Sequence, residues 1–401
     1  MQSIILGDVH LGKGVAIGKA GIGAVLNSRI VDQINLLDWT LDQAIANSVD
    51  NIIITGDIFE DPKPHPSLIA IFIAWLKKCQ AYQVNTHIIM GNHDMLRIGA
   101  AFTSPLDIIS EMDLDGIYIY KHIDTIILDS TAFTFVPFRD RKSFSVTSNA
   151  EALNVISESL VYELAGIPPP FKKVLIGHLA IEGSIPVGDE IDDVTNELFC
   201  STDMFNGYDY VWMGHVHKPQ IMKKSNPYIA HIGSMDISNF GETDQEKHII
   251  IFDCASGDGK FISKKLPTRS LRKISITIPK DTQDTTNYVI DEIKKNQINL
   301  NQAIVKVDIV LEAPELESIN KNNLEKFLTQ QGVFNVSGIS ESKKTALIKK
   351  DTSSGTSLYV KMDVPNAIKA YADLHIDTNM QKDYIEEALS IYNSFKSEGK
   401  E

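Results

Sequence analysis

The sequence predicts an α/β protein whose polar functional residues gather at the carboxyl edge of a largely parallel sheet. Three observations carry this prediction. First, a short apolar run, a glycine and then a polar residue recur five times in the first 217 residues: IILGDVH (4–10), IIITGD (52–57), IIMGNHD (88–94), VLIGH (174–178) and VWMGH (211–215). Runs of this length without polar alternation read as strands buried on both faces. Second, segments with helical spacing separate them, the pattern of βα units. Third, the polar residue follows a glycine, which lets the chain turn sharply at the strand end. In α/β sheets ligands collect outside the carboxyl ends of the strands, so residues scattered in sequence should converge in space.

The elements follow in order. SRIVDQINLLDWTLDQAIANS (28–48) places Ile30, Ile34, Leu37, Leu41 and Ala44 on one stripe, with Asn27 or Ser28 as N-cap. HPSLIAIFIAWLKKCQAY (65–82) is apolar nearly all round. Such a helix is either buried in its own subunit or packed on another. A third helix is expected at about 149–164. EKHIIIFDCASGDGKFISKKL (246–266) reads as a hairpin with its turn at residues 256–259. After Pro267 the pattern changes. KISITI (273–278), a polar helix near 283–295, AIVKVDIVL (303–311), a helix near 318–331 and VFNVSGI (333–339) form a β-α-β-α-β series, which suggests a small separate domain over 270–350. The polar stretch 351–357 leads to two short helices, 365–375 and 381–396, in a tail over 360–401. In the second of these Tyr384, Ala388, Tyr392 and Phe395 share a face.

The 401 residues are enough for two or three domains and a large core. No run reaches the roughly 18–20 apolar residues of a membrane span. The start, MQSIILGDVH, lacks the basic and apolar segments of a secretory signal. The expected location is intracellular, the cytoplasm, with no membrane partner. Cys79, Cys200 and Cys254 are sparse and odd in number, which fits a reducing compartment and offers no zinc spacing. The formal net charge of −14 argues against a protein that coats DNA by its own charge. It leaves a nuclease open, since bound cations supply positive potential. One segment runs against the average: residues 260–280 hold seven Lys or Arg and no acid. It is either a solvated strand and linker or a phosphate-contacting strip through Lys264, Lys265, Arg269 and Arg272.

Taken together, the strand-end residues are Asp8, His10, Asp57, Asn92, His93, Asp94, His178, His215 and His217. Carboxylate, amide and imidazole donors without a thiolate suit Mn(II), Fe(II) or Zn(II). Two ions sharing one ligand need about seven residues. Asp57, with two carboxylate oxygens, is the natural bridge. One ion would take Asp8, His10, Asp57 and His217, the other Asp57, Asn92, His178 and His215. Such a pair activates a water and stabilises attacking and leaving oxygens in displacement at phosphorus. His93 is left over and can protonate the leaving alkoxide, with Asp94 beside it in sequence to hold its imidazole in one tautomer. His65, His87, His122, His231, His248 and His375 belong to no ligand motif.

The ordered set D-x-H, G-D, G-N-H-D, G-H and G-H-x-H resembles the calcineurin-like metallophosphoesterase superfamily. Within it, DVHLGKG, SRIVDQINLLDWTLDQAI, GDIFEDPKPHPSLIAIF, GNHD, FVPFRDR and IGSMDISNFGE are similar to SbcD-like nucleases and their double-strand-break-repair relatives, over about residues 1–265. The resemblance implies a four-layer α/β/β/α sandwich as the nuclease domain, 1–266. It implies a capping domain that orients DNA at 270–350 and a helical tail at 360–401 that docks on an SMC-like ATPase, SbcC-like. It implies a manganese-dependent double-strand exonuclease of 3′ to 5′ polarity with single-strand endonuclease activity, acting in DNA repair and recombination as a homodimer. The 65–82 helix is a candidate for the dimer contact. The sequence departs from the family at Glu60, where many relatives carry a histidine that assists exonuclease action. That role does not transfer here. The competing readings are a small-molecule or nucleotide phosphodiesterase on the same fold, and a non-catalytic scaffold.

Overall fold

The computed structural model describes residues 2–21, 26–98, 101–186, 196–254, 260–343, 368, 372 and 381–398. The chain divides into two compact units, Met1–Thr345 and Ala346–Glu401. The first unit opens with β1 (Gln2–Leu6), α1 (Ser28–Ala46), β2 (Asn51–Ile54), α2 (Pro66–Ala81) and β3 (Asn85–Ile89). A short hairpin of β4 (Leu96–Ile98) and β5 (Ala101–Thr103) precedes α3 (Leu106–Ser110) and β6 (Ile117–Tyr120). Next come β7 (Asp124–Leu128), β8 (Thr131–Val136), α4 (Asn149–Gly166) and β9 (Lys172–Gly177). The two-residue strands β10 (Ala180–Ile181) and β11 (Phe199–Cys200) pair in parallel. They lead to β12 (Tyr210–Met213), β13 (Gln220–Lys223), β14 (Tyr228–His231), β15 (His248–Asp253) and β16 (Phe261–Lys265).

These strands form two six-stranded sheets, ordered β16-β15-β1-β2-β3-β6 and β13-β14-β12-β9-β8-β7. The strands expected to carry the site are parallel within each sheet: β1, β2 and β3 in one, β9 and β12 in the other. Their unbroken apolar runs follow from burial on both faces. In the first sheet Ile4, Leu6, Ile52, Ile54 and Ile88 pack toward α1 and α2, whereas Ile5, Ile53 and Ile89 face the second sheet. In the second sheet Val174, Ile176 and Trp212 face the first, and Leu175, Val211 and Met213 face α4. The layers are therefore α1 and α2, sheet, sheet, α4: the four-layer sandwich.

Helix α1 starts where expected, with the Asn27 side chain accepting from the Arg29 amide. Its buried face differs from the apolar stripe. Ile30 and Ile34 are only half-buried, while Arg29, Asp32, Gln33 and Thr40 are buried. That face carries polar work described below. Helix α2 buries one face, through Phe72, Trp75, Leu76 and Cys79, rather than its whole circumference. The 246–266 hairpin is the antiparallel pair β15–β16, and its expected turn lies outside the described residues. All three cysteines are free and buried.

Beyond β16, β17 (Leu271–Ile278), α5 (Thr285–Lys295), β18 (Ile304–Leu311), α6 (Lys321–Gln330) and β19 (Asn335–Lys343) follow in the order read from sequence. The three strands make a parallel sheet of their own. It has its own core, with Ile276, Ile278, Val289, Ile293, Val307, Ile309, Leu324 and Leu328 among its members. A small apolar cluster of Ile237, Leu271 and Ile304 joins this part to the sandwich. In the second unit α7 spans Gln381–Glu398, and Tyr384 is exposed. Of the 365–375 segment only residues 368 and 372 are described, and both are helical.

His87 has a structural role. It lies buried on β3, stacked on Tyr118 at 4.9 Å and hydrogen-bonded through Nδ1 to the Tyr120 hydroxyl at 2.9 Å. Burial pushes its imidazole down to about 4 from an ordinary 6.5. The folded protein thus keeps His87 neutral where the unfolded chain would protonate it. Its stabilising contribution is complete above about pH 6.5 and is lost as the pH falls toward 4. His87→Phe should therefore flatten the acid limb of stability, by up to about 3 kcal/mol between pH 7 and pH 4. Urea unfolding across that range measures it, and a variant with the parent's pH slope would exclude His87 as the cause.

Candidate metal centre

Each expected ligand sits just beyond the carboxyl end of its strand: Asp8 and His10 after β1, Asp57 after β2, Asn92 after β3, His178 after β9, His215 and His217 after β12. All except Asn92 are buried. The turns that deliver them are unusual. His10, Asp57 and His215 have φ of 46°, 48° and 76°, in the left-handed region that side-chain-bearing residues rarely occupy. Backbone strain of this kind concentrates at functional sites.

The donor atoms converge in two overlapping groups. His10 Nε2 lies 2.8 Å from His217 Nε2, and Asp8 completes a cluster with them. On the other side, the Asn92 Oδ1 lies 2.9 Å from His178 Nε2 and 3.0 Å from His215 Nδ1. Asp57 stands between. Its Oδ2 is 3.4 Å from His10 Nε2 and 3.3 Å from His178 Nε2, and its Oδ1 accepts from the His93 amide at 2.9 Å. Asp8 accepts from the Thr55 hydroxyl at 3.1 Å and from the His215 amide at 2.8 Å.

The electrostatics fit cations. Burial pushes the His10 and His217 imidazoles down, so two neutral nitrogens face each other in a water-poor pocket. Burial acts on His178 in the same direction, but Asp57 and Asp8 outweigh it and carry the imidazole up to about 10. Burial would raise Asp57, yet His178 and His10 hold it well below its ordinary range. At Asp8 burial outweighs the neighbouring imidazoles and raises the carboxyl. The buried acids, Asp57 foremost, draw positive charge into the pocket, and the His178 imidazole proton supplies it in the bare chain. A divalent ion satisfies the same demand, and an oxygen and imidazole donor set without sulfur suits Mn(II), Fe(II) or Zn(II). The described residues fit a metal centre.

His93 lies at the rim, half-buried, its ring 4.9 Å from that of His10. The expectation that Asp94 orients it is corrected. The Asp94 carboxylate turns inward and accepts from the backbone amides of Ile58, Phe59 and Gly91. The turns after β2 (Ile58, Phe59) and β3 (Gly91) present these amides to it, and an adjacent carboxylate is the group that can satisfy several at once. Burial and the neighbouring Asp57 raise its carboxyl to about 7. The His93 ring is held instead by its Nδ1 against the Glu60 carbonyl oxygen at 2.8 Å.

Of the other histidines, His65 caps α2, His231 is buried with its Nδ1 against the Gly214 carbonyl, and His122 is exposed. The basic strip is mostly engaged within the chain. Lys264 meets Gln43, and Lys265 pairs with Glu246. Arg269 grips both oxygens of Asp32, at 2.8 and 2.6 Å, and lies 3.8 Å over the Phe334 ring. Arg272 is half-buried on β17.

Sequence reading missed the residues that brace the ligands. Gln33 on α1 donates to the His10 carbonyl and accepts from the Gly12 amide. The fully buried Lys247 donates to the His217 carbonyl at 2.8 Å and pairs with the buried Glu242 at 2.7 Å. Glu197 brings Oε1 within 3.0 Å of His215 Nε2. None belongs to a ligand motif. The one available signal is Gln33, polar where the helical period of α1 calls for an apolar residue; Lys247, Glu242 and Glu197 lie outside the helices and strands, where periodicity says nothing.

Residues 1–219 match the family described as calcineurin-like phosphoesterase. They make up more than half of the chain, which therefore belongs to that family and is a metal-dependent phosphodiesterase. Among curated proteins it is 24% identical over 268 residues to the SbcD component of nuclease SbcCD from Staphylococcus saprophyticus, covering 64% of this chain and 68% of that one. To the Staphylococcus epidermidis protein of the same name it is 25% identical over 312 residues, covering 74% and 77%. To the DNA double-strand break repair protein Mre11 of Methanopyrus kandleri it is 26% identical over 254 residues, covering 62% and 51%. Among solved structures, a dimetal phosphatase from Danio rerio aligns with a TM-score of 0.37 at 11% identity, over 66% of this chain and 99% of that chain.

The close approach of backbone to ligand makes two glycines obligatory. A Cβ on Gly91 would lie 2.1 Å from Asp57 Oδ1, and one on Gly214 2.3 Å from Asp8 Oδ1. Gly91→Ala is expected to push Asp57 aside, at a cost of about 1–3 kcal/mol in stability and with loss of the thermal shift on adding Mn(II). Calorimetry with and without Mn(II) measures both. An unchanged midpoint and an unchanged Mn(II) shift would mean the pocket absorbs the methyl freely.

Proposed function

We propose that this chain is the nuclease component of a DNA-processing complex and hydrolyses DNA phosphodiesters with two divalent ions, Mn(II) foremost. The observation that carries the reading is the convergence of Asp8, His10, Asn92, His178, His215 and His217 about the buried Asp57. Asp8, His10, Asp57 and His217 would hold one ion, and Asp57, Asn92, His178 and His215 the other. Ions bound there supply Lewis-acid activation of the phosphoester and of the attacking water. The residues do the rest. Asp57 bridges the two halves, and the His93 amide keeps its Oδ1 in place. The Glu60 carbonyl fixes His93 with Nδ1 as donor, which leaves Nε2 to serve a leaving oxygen. His93 is then the acid that protonates the leaving alkoxide. Charge from Asp57 and Glu60 outweighs the effect of burial and raises its imidazole above the ordinary value, which favours the protonated form this role needs.

DNA as substrate is supported by the names of the similar proteins, a nuclease and a DNA double-strand break repair protein. The activities proposed are double-strand exonuclease of 3′ to 5′ polarity and single-strand endonuclease. The separate β17–β19 sheet supports a capping role for residues 270–350, with 1–266 as the nuclease domain. Arg269 ties that part to α1 through Asp32. The exposed ion pair of Lys265 is weak enough to yield to a phosphate, so Lys265, Lys264 and Arg272 keep the proposed DNA-contact role. An SbcC-like ATPase would dock on the tail, 360–401, where the exposed Tyr384 of α7 offers an anchor. Homodimer formation through α2 belongs to the same reading.

Linear duplex DNA incubated with Mn(II) should be degraded from its 3′ ends, and chelator should abolish the cleavage. A protein that cleaves only a chromogenic phosphodiester, with duplex and single strands untouched, would overturn the DNA reading. His93→Ala should bind Mn(II) and DNA as the parent does but cleave at least about 10²-fold more slowly, the usual scale for a lost general acid. Single-turnover kinetics decide this, and cleavage at the parent rate removes His93 from the mechanism.

A further inference from the structure

We infer that Glu197 and Glu60 are positioning residues, one for each half of the metal centre, each holding the outer nitrogen of a ligating histidine. The inference rests on the two-ion reading above. Three of the four histidines show the same arrangement: one nitrogen faces the converging donors and the other meets an oxygen behind it. For His178 that oxygen is the Thr55 carbonyl, at 2.7 Å from Nδ1. For His10 it is Glu60 Oε2, at 2.8 Å from Nδ1. For His215 it is Glu197 Oε1, at 3.0 Å from Nε2, while Nδ1 faces Asn92. A carbonyl fixes only tautomer and orientation. A carboxylate does both and also makes the imidazole a stronger donor.

Glu197 is built into this position. Its side chain is only 8% exposed, and Oε1 and His215 Nε2, 3.0 Å apart, are both buried without a well-aligned hydrogen bond to any described residue, so the contact between them is one of charge and proximity. A carboxylate so placed is costly unless something compensates it, and His215 is what lies within reach. The backbone around it is fastened at three points. The Arg141 amide donates to the Asn196 carbonyl at 3.2 Å, and the Arg141 guanidinium donates to Asn196 Oδ1 at 2.7 Å. Asn149, at the start of α4, donates to the Glu197 carbonyl at 3.0 Å. The FVPFRDR segment thus has a purpose: Arg141 anchors the segment carrying Glu197, and Phe138 lies 5.8 Å from the His215 ring. Glu60 is a weaker version of the same device. Its side chain is 36% exposed and shared with Lys13 at 3.1 Å.

The two carboxylates therefore act on different ions, Glu60 on the one held by Asp8, His10 and His217, Glu197 on the one held by Asn92, His178 and His215. Calorimetric titration of the metal-stripped full-length chain with Mn(II) tests this. The parent should bind two ions. Glu197→Gln should weaken one of them by about 10-fold or more and leave the other at the parent affinity, with the unfolding midpoint of the metal-free protein unchanged. Glu60→Gln should weaken the other ion by a smaller factor. In an Asn92→Ala background, where the second half is already impaired, Glu60→Gln should still weaken the remaining ion and Glu197→Gln should not. Glu197→Asp, which keeps the charge but shortens the reach, should fall between parent and Gln, and it carries the test if the Gln variant does not fold. Two parent-like affinities in Glu197→Gln, or equal weakening of both ions, would overturn the assignment. A parent that binds fewer than two ions would instead overturn the two-ion reading, and this inference with it.

Discussion

The structure depends on burying two carboxyl groups, Asp8 and Asp57, where the two sheets meet and water is excluded; burial pushes Asp8 up, whereas His178 and His10 hold Asp57 down. An isolated carboxylate in such a place costs several kcal/mol and would take up a proton. Here each is compensated from several directions. Asp57 faces His178 and His10 and accepts from the His93 amide. Asp8 accepts from Thr55 and from the His215 amide. The arrangement draws in cations. It also explains why the glycines lie where they do, because backbone must pass within contact distance of these oxygens and a side chain would fill that space.

Such a site cannot be held by loops alone, and the surrounding frame is correspondingly polar. The segment 231–247 is an example. The Met235 amide donates to the Asp8 carbonyl, the Ser234 amide to that of His217, and Lys247 reaches the same His217 carbonyl from the other side. Asp236 receives Arg29, which also meets Asp32, and Asp32 in turn receives Arg269 from the connection to β17. A chain of charged contacts thus runs from the backbone of the ligands, through α1, to the small sheet of β17–β19. This accounts for the polar buried face of α1. The helix serves both as a layer of the sandwich and as the strut between the metal centre and the small sheet.

Much of this was legible in the sequence. The apolar run followed by Gly and a ligand marked β1, β2, β3, β9 and β12, because strands buried on both faces need continuous apolar residues. The β-α-β-α-β order after Pro267 was legible for a related reason, since the alternation in 273–278 matches a sheet covered on one side. The stripe on α1 was read less well. Hydrophobic periodicity finds faces that pack on apolar neighbours and is blind to a face that buries Arg29, Asp32 and Gln33 against polar partners on other segments of the chain. The role given to Asp94 failed similarly. Adjacency in sequence suggested His93 as its partner, whereas the unpaired amides of the turn at Ile58 and Phe59 claimed it.

By itself the sequence marked the strands that end on candidate donors, their order along the chain, the chemical kinds of those donors and the absence of thiolates among them. Those follow from local composition and from chemistry that each residue carries wherever it lies. Only the tertiary structure decided which nitrogen of each histidine faces inward, which carboxylate stands behind it, and how His93 is held. The reason is physical. An imidazole has two nitrogens of nearly equal intrinsic affinity for a proton or a metal, and the choice between them is made by whatever oxygen lies on the far side. For His178 that oxygen belongs to Thr55, for His10 to Glu60 and for His215 to Glu197, and only the fold places them there.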